Sequence, residues 1–445
     1  MKRLATLLIL FACTPPTPPE VTSLTDPSRV TECQPPVLLP GEGELVDAPT
    51  CDGGRAPPLT LRLPPGFCIS HFWEQDNAKP RLIAFSPSGD LWVSDWFNRI
   101  WILPDDDHDG VADASIRYDR DGLTDGVHGI HFSDGFVWLG EADKVSRIPH
   151  PGTGGGREVG GEKEVILTGI PTGGHWTRTA RVKDGWVYVG IGSQTNAGPE
   201  THPWRAAIIR APLDALVAGG IPTDRVEIYG AGLRNPVDFT WHPTTGELFA
   251  SINERDELQP HYGTASGDNL PFERIARVTA GSDHGWPRCF PNRTDDGRDF
   301  LTGAPECLDS NKCDEFCGAT DCRSFEVPAI SLQAHSAPLG LSFYTRTEFP
   351  EPYRGALFVG FHGSWNRSEP TGAKVVALPY GAEGKPTGQI LNFATGWQNA
   401  QGVRLGRPVD ARMGPDGAMY ITDDSGVSDT AEVRGNVYVV RHVGP

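Results

Sequence analysis

The sequence lacks long apolar runs and has few basic residues for its length. After the first dozen residues, no segment of the 445 is apolar enough to cross a bilayer. Acidic residues outnumber basic ones, 57 to 39, and the net charge of −18 disfavours nucleic-acid binding, for which a basic face is expected. Glycine, proline and tryptophan are abundant, with 53, 40 and 12 residues, a composition typical of many short strands joined by turns. One short helix is expected, around 213–217.

The first thirteen residues resemble an export signal. A basic pair precedes the apolar run 4–12, which is too short for a transmembrane helix. The run ends in LFAC, which resembles a bacterial lipoprotein box ending at Cys13. We therefore expect an exported protein, either lipid-anchored to a bacterial membrane through Cys13 or periplasmic or extracellular. Residues 14–57 are rich in Pro, Thr and Gly and are predicted to form a tether.

The cysteines agree with export. Eight remain after Cys13, and an even number in an oxidising compartment indicates disulfides whose connectivity the sequence leaves open. They are Cys33, Cys51, Cys68, Cys289, Cys307, Cys313, Cys317 and Cys322. The last four lack the paired C-x₂-C spacing of a zinc site. The insertion 289–322 is therefore predicted to be a loop held by disulfides.

One phrase, an apolar strand, a tight turn and an aromatic-rich strand, recurs six times. The copies lie at 84–96, 131–141, 180–192, 240–252, 342–365 and 411–424. Most are about 45 to 60 residues apart, a spacing typical of four-stranded propeller blades. The sequence thus predicts an all-β fold, a six-bladed β-propeller over 58–445, with the strand near 59–73 closing the ring against the last blade.

Polar segments stand just ahead of five of the six phrases. They are GVHG (126–129), GGHWTR (173–178), LRNP (233–236), HSAP (335–338) and GRP (406–408). In equivalent blades these segments share one radial position. We therefore expect them to converge on a central pocket at the mouth of the channel.

The expected pocket contains one base and several cations. His175 follows two glycines that permit a tight turn, and a histidine can serve as a general base at neutral pH. Arg178 is expected to hold an anionic oxygen. Several arginines facing one channel favour a small polyanionic cofactor, since each guanidinium offers a fork of donors to carboxylates. This group comprises Arg234, Arg367 and Arg407, with Asn235 beside them. In the alternative interpretation each arginine pairs with an Asp or Glu between blades.

Two acidic segments are candidate calcium sites. NERDE (253–257) follows the fourth phrase directly, and its Asp256, Glu257 and the backbone carbonyls of Glu254 and Arg255 are candidate oxygen ligands. The second segment carries Asp105, Asp107, Asp109 and Asp113. It partly matches a calcium loop but lacks the bidentate Glu at the twelfth position, so a solvated turn is the alternative.

Taken in order, the motifs resemble the pyrroloquinoline quinone (PQQ)-dependent glucose/sorbosone dehydrogenase family, especially its sorbosone dehydrogenase-like branch. The resemblance covers about 58–443 and rests on GGHWTR, GLRNP, TTGELFASINERDE, HGWP, HSAPLG, HGSWNRS, GRP and GPDGAMYITDD. It implies a six-bladed propeller with PQQ and calcium at the channel mouth. A histidine there takes the hydroxyl proton while hydride passes from the sugar carbon to the quinone.

The resemblance also assigns roles by position. His175 is implied to be the base, Asn235 a PQQ contact and Arg407 a partner of the PQQ carboxylates. The backbone from Asn253 to Arg255 is implied to lie near calcium and the quinone. Asn366 or Arg367 is implied to lie near a basic PQQ contact. The chain departs from the family at His128, where relatives carry a glutamine, and after Arg407, where a second arginine is missing.

These observations favour an exported quinoprotein that oxidises a sugar or polyol alcohol and passes electrons to an external acceptor. A calcium-dependent lactonase on the same fold is disfavoured, because the expected channel residues are richer in His and Arg than in carboxylates. A non-catalytic propeller acting as a cell-surface binding module is the other alternative.

Overall fold

The computed structural model describes residues 44–118, 126–150, 157, 161–293, 299–305, 321–425 and 433–444. The predicted export signal, most of the predicted tether and Cys307, Cys313 and Cys317 lie outside the described residues. No helix in the described part of the chain has the length and apolar character needed to cross a membrane.

Six sheets in the described part of the chain are blades with four antiparallel strands each. The strands of a blade follow chain order from the channel outward, except that the outer strand of blade 6 comes from the start of the propeller. Blade 1 comprises Pro80–Phe85, Leu91–Asp95, Arg99–Leu103 and Ile116–Tyr118. Blade 2 comprises Gly129–Ser133, Phe136–Gly140, Val145–Pro149 and Glu164–Leu167. Blade 3 comprises Arg178–Lys183, Trp186–Ile191, Ala207–Pro212 and Glu227–Ala231, to which the short strand Ser282–Asp283 adds in parallel.

The remaining blades follow the same order. Blade 4 comprises Pro236–Trp241, Leu248–Ile252, Glu273–Val278 and Ile330–Leu332. Blade 5 comprises Pro338–Phe343, Leu357–Phe361, Lys374–Leu378 and Leu391–Ala394. Blade 6 comprises Pro408–Met413, Met419–Asp423, Arg434–His442 and, as its outer strand, Phe67–Asp76. The predicted all-β, six-bladed propeller is confirmed.

The ring closes where the two ends of the propeller meet. Phe67–Asp76 pairs antiparallel with Arg434–His442, from Phe67 opposite His442 to Asp76 opposite Arg434. The inner strands of blades 6 and 1 also lie side by side, as the other neighbouring inner strands do. The predicted closing strand therefore joins the last blade, which removes the free edge of an open ring.

The repeated phrase forms the inner two strands of each blade, and its turn chemistry explains the hairpin. In blade 3, Asp184 and Gly185 form the two-residue turn between Lys183 and Trp186, with φ of +50° and +78°. Two consecutive positive φ angles define the turn that matches the twist of paired strands, and an Asp followed by Gly adopts it readily. The tight turn thus fixes the register of inner and second strand.

The centre of the channel is occupied by charged side chains of the inner strands. Arg181 binds Asp238 at 2.7 Å, and Arg412 bridges Asp238 at 3.2 Å and Asp410 at 3.0 Å. Both carboxylates also accept backbone N–H groups from a neighbouring blade, that of Leu341 at Asp238 and that of Ile83 at Asp410. This buried network ties blades 1, 3, 4, 5 and 6 together and forms the base of the channel mouth.

Two disulfides hold segments outside the blades, and short helices also lie there. Cys51 is bonded to Cys68, so the part of the predicted tether after residue 44 lies against the closing strand. Cys289 is bonded to Cys322 across the insertion, whose hairpin is Cys289–Arg293 and Asp299–Gly303. The expectation of a single helix is wrong. Besides the 3₁₀ turns Leu213–Ala215, Thr223–Arg225, Cys322–Ser324 and Glu351–Tyr353, two α-helices follow NERDE, Gln259–Tyr262 and Thr264–Asp268.

Candidate functional site

A cavity of 360 Å³ opens at the end of the channel where the inner strands begin. Residues directly before or at the start of the inner strands of five blades line it, namely Lys79, Thr177, Asn235, Ala337 and Arg407. The segment before blade 2 stops short, because its His128 is fully buried and its ring lies 6.1 Å from that of Trp176, which faces the cavity. Four of the five segments expected to converge therefore do so.

His175 presents one ring nitrogen to this cavity. Its Nδ1 lies 3.1 Å from the carbonyl O and 2.9 Å from the Oγ of Ser193. Ser193 Oγ in turn donates to the carbonyl of Thr195 at 2.7 Å, so it accepts from the imidazole. Both partners of Nδ1 are acceptors, which places the ring proton on Nδ1 and the lone pair on Nε2. Nε2 has no hydrogen-bond partner among the described residues.

The charge state of His175 suits a base. Burial, reinforced by the Arg234 guanidinium, lowers the pKa of His175 from 6.5 to about 4. The imidazole is therefore neutral at pH 7. A neutral ring with a free, correctly placed lone pair can accept a proton from a bound hydroxyl group.

The loop that carries His175 is packed so tightly that two of its contacts leave no room for a Cβ atom. Gly174 has a φ of +61°, and a Cβ there would lie 2.5 Å from the carbonyl O of Ser193. A Cβ on Gly192 would lie 2.5 Å from the Cβ of His175. Any side chain at either position would push the imidazole from its place, which explains why glycine occupies both.

Two buried arginines hold the same loop from behind. Arg178 donates to the carbonyls of Pro171, His175 and Thr177 at 2.6–2.8 Å. Arg205 donates to the carbonyls of Gly173 and Gly192 at 3.1 Å, and to that of Thr172. Burial, with Arg205 nearby, lowers the pKa of Arg178 to about 9. Arg178 lines no part of the cavity, so its donors go to the loop rather than to the anionic oxygen expected from the sequence.

Arg407 is a cation of the cavity that has no carboxylate as an ion-pair partner among the described residues. Its Nε and Nη2 donate to the carbonyls of His362 and Gly363 at 3.0 and 2.9 Å, and no ion pair forms with it in the described part of the chain. Burial lowers its pKa to about 10, so it remains charged at pH 7. Arg81 lies near it and is paired at 2.9 Å with Asp424, which His362 also contacts at 2.9 Å. Arg407 therefore does not follow the alternative in which each arginine of the expected group pairs with an Asp or Glu between blades.

Arg234 binds the backbone that was expected to bind calcium. Its Nη1 donates to the carbonyls of Asn253 and Glu254 at 3.2 and 2.5 Å, and its Nη2 lies 3.7 Å from Asp256. The neighbouring Asn235 faces the cavity, and its buried Oδ1 has no partner among the described residues. Both residues line the cavity as expected. The guanidinium of Arg234, however, already binds two carbonyls and the Asp256 carboxylate of the NERDE turn.

Acidic side chains line the cavity wall next to Arg234. Glu254, Asp256 and Glu273 all line the cavity. Glu254 pairs through Oε1 with Arg274 at 2.5 Å, its Oε2 has no partner among the described residues, and its backbone N–H donates to Glu273 at 2.6 Å. Burial raises the pKa of both glutamates, that of Glu273 well above its usual range. This acidic wall is rich in carboxylate oxygens.

Four of the expected site residues lie beside the cavity rather than in it. Arg255, Glu257, Asn366 and Arg367 line an adjoining groove of 850 Å³, separated from the cavity by Trp365. The second candidate calcium segment lies in the loop between the third and fourth strands of blade 1. Carboxylate oxygens of its Asp105, Asp107 and Asp109 lie within 4.8 Å of one another. Asp113 instead accepts the backbone N–H of Asp106 at 2.6 Å.

Several lining residues were missed by the sequence analysis. Lys79 and Arg81 flank Pro80 at the start of the first inner strand, where the segment AKP (78–80) has the same basic residue before proline as GRP (406–408). Trp96, His362 and Asp424 follow the second strands of blades 1, 5 and 6. Since the second strand runs antiparallel to the inner one, its end lies at the same rim as the start of the inner strand. The signal was therefore the residue just after the second strand of each phrase, read together with the residue just before the inner strand.

Known proteins share this fold. The sequence profile of the TrAA12-like family matches residues 61–442. The chain belongs to the TrAA12-like family. Over 379 residues it is 27% identical to an uncharacterised protein of Borreliella burgdorferi, covering 82% of this chain and 89% of that protein. Over 316 residues it is 25% identical to the PQQ-dependent pyranose dehydrogenase of Coprinopsis cinerea, covering 64% of this chain.

The match covers 42% of the length of the pyranose dehydrogenase, so this chain corresponds to part of that protein. Two solved structures share the fold. A calcium structure of a family AA12 enzyme from Trichoderma reesei aligns with a TM-score of 0.70 at 20% identity, over 87% of this chain and 98% of that one. The holo PQQ domain of the pyranose dehydrogenase of Coprinopsis cinerea aligns with a TM-score of 0.68 at 21% identity, over 88% and 100%. The resemblance predicted from the sequence is confirmed at the level of the family.

Proposed function

We propose that this protein is an exported PQQ-dependent dehydrogenase that oxidises a hydroxyl group of a sugar or polyol. The observation that carries the proposal is the free Nε2 lone pair of His175, which faces a cavity also lined by Arg407, a cation that forms no ion pair among the described residues. The family membership and the similarity to a PQQ-dependent pyranose dehydrogenase support it.

The residues of the cavity fit the cofactor. PQQ carries three carboxylates, and the cavity offers Lys79 and Arg407 as cations, next to Arg81, which is paired with Asp424. Arg407 has no carboxylate partner among the described residues, and an anion is the group that a buried, unpaired guanidinium binds best. The Oδ1 of Asn235 is available to accept an N–H group. When bound, PQQ supplies the acceptor for the hydride of the substrate carbinol carbon.

The chain itself supplies orientation and a base. Arg178 and Arg205 hold the loop, and Ser193 fixes the ring of His175 with Nε2 toward the cavity. As the hydroxyl hydrogen of the substrate leaves, Nε2 accepts it, and the Nδ1–H bonds to Ser193 stabilise the imidazolium. Trp96, Trp176 and Trp365 line the mouth and exclude water from the reacting atoms.

We also propose that the acidic wall binds calcium. Asp256 and the free Oε2 of Glu254 are hard oxygen donors, the type that Ca²⁺ prefers. The carbonyls of Asn253 and Glu254 already accept hydrogen bonds from Arg234, so we assign most of the calcium ligands to the side chains. The loop of Asp105, Asp107 and Asp109 remains a separate candidate for the same ion.

Export is part of the proposal. The disulfides Cys51–Cys68 and Cys289–Cys322 support an oxidising compartment, and anchoring through Cys13 stays a prediction. Electrons would leave to an external acceptor. The lactonase alternative is weakened by the channel base, where Asp238 and Asp410 are bound by Arg181 and Arg412 rather than available to a metal.

The test is reconstitution. Purified protein is mixed with PQQ and CaCl₂, and sugar-dependent reduction of an artificial dye is followed. We expect turnover that depends on PQQ and on the sugar. Saturable PQQ binding without turnover on any sugar or polyol would favour a different reaction, and absence of PQQ binding would favour the binding-module alternative.

A further inference from the structure

The groove beside the cavity is the larger of the two, at 850 Å³ against 360 Å³. One residue, Trp365, lines both, and 68% of its surface is exposed. Single exposed aromatic residues are common on protein surfaces. Trp365 differs because it stands at the boundary between a candidate active site and an open groove, so a ligand leaving one for the other must pass over its ring.

The rest of the groove is polar and nearly neutral in charge. Two arginines, Arg255 and Arg367, line it together with two acidic residues, Glu257 and Asp268. Asp268 accepts from Gln259 at 3.0 Å, and its backbone carbonyl accepts from Arg367 at 2.5 Å, so much of the charge is satisfied internally. Such a surface favours a neutral ligand with many hydroxyl groups over an anion or a cation.

One buried polar atom of the groove needs a partner. The Nδ2 of Asn366 has no hydrogen-bond partner in the described part of the chain, although it is buried. Buried amide N–H groups are normally satisfied, so a ligand acceptor is expected within its reach. A sugar hydroxyl or ring oxygen provides one.

We propose that the groove binds the second and further rings of an oligosaccharide whose terminal ring enters the cavity. The proposal rests on the proposed function for the identity of the terminal ring, but not for binding in the groove. One face of a pyranose ring carries mainly C–H groups, which pack on an exposed indole, while its hydroxyls bond to side chains around it. Trp365 supplies the indole, and Gln259 and Asn366 supply polar contacts.

The volume of the cavity also supports binding of further rings in the groove. The 360 Å³ must hold both the cofactor and the reacting ring, and ligand pockets of this kind span about 300–1,000 Å³. A substituent on the reacting ring therefore has to leave the cavity. The groove past Trp365 offers more than twice its volume.

The experiment compares saccharides of one to five rings from the cello-, xylo-, malto- and manno- series. Binding to the cofactor-free protein is measured by calorimetry, and kcat/KM is measured on the protein loaded with PQQ. We expect at least one series to bind, and kcat/KM to rise with the second ring. Trp365→Ala should lower oligosaccharide affinity by about tenfold, the factor that corresponds to roughly 1.4 kcal/mol of lost aromatic contact.

Two further variants separate the groove from the cavity. Gln259 lines the groove and not the cavity. Gln259→Ala should therefore weaken binding of saccharides with two or more rings, while kcat/KM for the monosaccharide is retained. Phe97→Ala removes an exposed aromatic side chain, 46% exposed, that lines neither cavity nor groove, and it should change neither.

The outcomes distinguish this inference from the proposed function. Oligosaccharide binding that is lost in Trp365→Ala, in a protein that does not take up PQQ, would support the groove and refute the dehydrogenase. Turnover of monosaccharides with no gain from a second ring, and no binding of any series to the cofactor-free protein, would overturn the groove and leave the dehydrogenase standing.

Discussion

Replacing His175 with asparagine tests the base directly. The Asn amide can still donate to Ser193, as Nδ1–H does at 2.9–3.1 Å, but it has no counterpart of Nε2. The loop is therefore kept while the base is lost. A positioned general base contributes about 10²–10⁴-fold, so we expect kcat to fall by that factor, equivalent to about 3–5 kcal/mol in the barrier. Affinity for PQQ should change by less than about threefold.

The pH profile gives the second part of this prediction. The protonated ring cannot accept a proton, so kcat/KM should fall as the pH drops through the pKa of His175, about 4. At pH 5 a group with that pKa is about 90% neutral, whereas a histidine at its ordinary value near 6.5 is only about 3% neutral. Activity at pH 5 close to the plateau is therefore expected in the wild type. The His175→Asn variant should lose the acidic limb at pH 4.

The assay is dye reduction by the PQQ-loaded enzyme across pH 3.5–8, with folding checked by circular dichroism at each pH. His335→Asn is the matched control, because both ring nitrogens of His335 are engaged, Nδ1 with Asp256 at 3.3 Å and Nε2 with the carbonyl of Gly267 at 3.1 Å. This variant should keep the limb near pH 4. Retention of more than a tenth of kcat in His175→Asn would refute the assignment of the base.

Four other changes have defined outcomes. Arg407→Met removes the unpaired cation and should raise the Kd for PQQ about 10–100-fold in a fluorescence titration, since a hydrogen bond to a charged group contributes about 1.5–3 kcal/mol. Arg205→Met frees three loop carbonyls and should lower kcat by about tenfold or more with PQQ affinity retained. Removing both Cys51 and Cys68 opens a 17-residue loop and should cost about 3 kcal/mol of stability, seen as a lower Tm. Asp256→Asn should reduce the rise in Tm that CaCl₂ produces.

Each of these has a contrary result. Unchanged PQQ affinity in Arg407→Met would remove the carboxylate contact from the site. An Arg205→Met variant with full kcat would show that the loop holds its shape without the second arginine. An unaltered calcium response in Asp256→Asn would move the ion elsewhere, with the loop of Asp105 as the next candidate. A Tm that survives loss of the disulfide would mean that strand pairing alone holds residues 44–57.

The fold was predictable from the sequence because its signals are local. Each hairpin is encoded by an apolar run and a turn such as Asp184–Gly185, and the spacing of the copies gives the number of blades. Ring closure was predicted for a strand near 59–73, and the strand that pairs with the last blade is Phe67–Asp76. The helices at 259–268 were missed because they are one turn each, too short to show a helical period.

The site was predictable only where position along the chain fixes position in space. Residues before the inner strands of five blades, all but blade 2, meet at the cavity, so His175, Asn235 and Arg407 were found. The destination of a long side chain is set by neighbours that no local pattern specifies. Arg178 turns to its own loop, and Arg234 turns to the NERDE carbonyls, where their N–H groups satisfy buried acceptors.

The central claim is that the cavity at the channel mouth binds PQQ. Its direct test is an equilibrium titration of the purified protein with PQQ in the presence of CaCl₂, followed through the fluorescence of the tryptophans that line the cavity, Trp96, Trp176 and Trp365. The account predicts saturable quenching with one PQQ per chain, weakened in Arg407→Met. Absence of saturable quenching up to millimolar PQQ would contradict it.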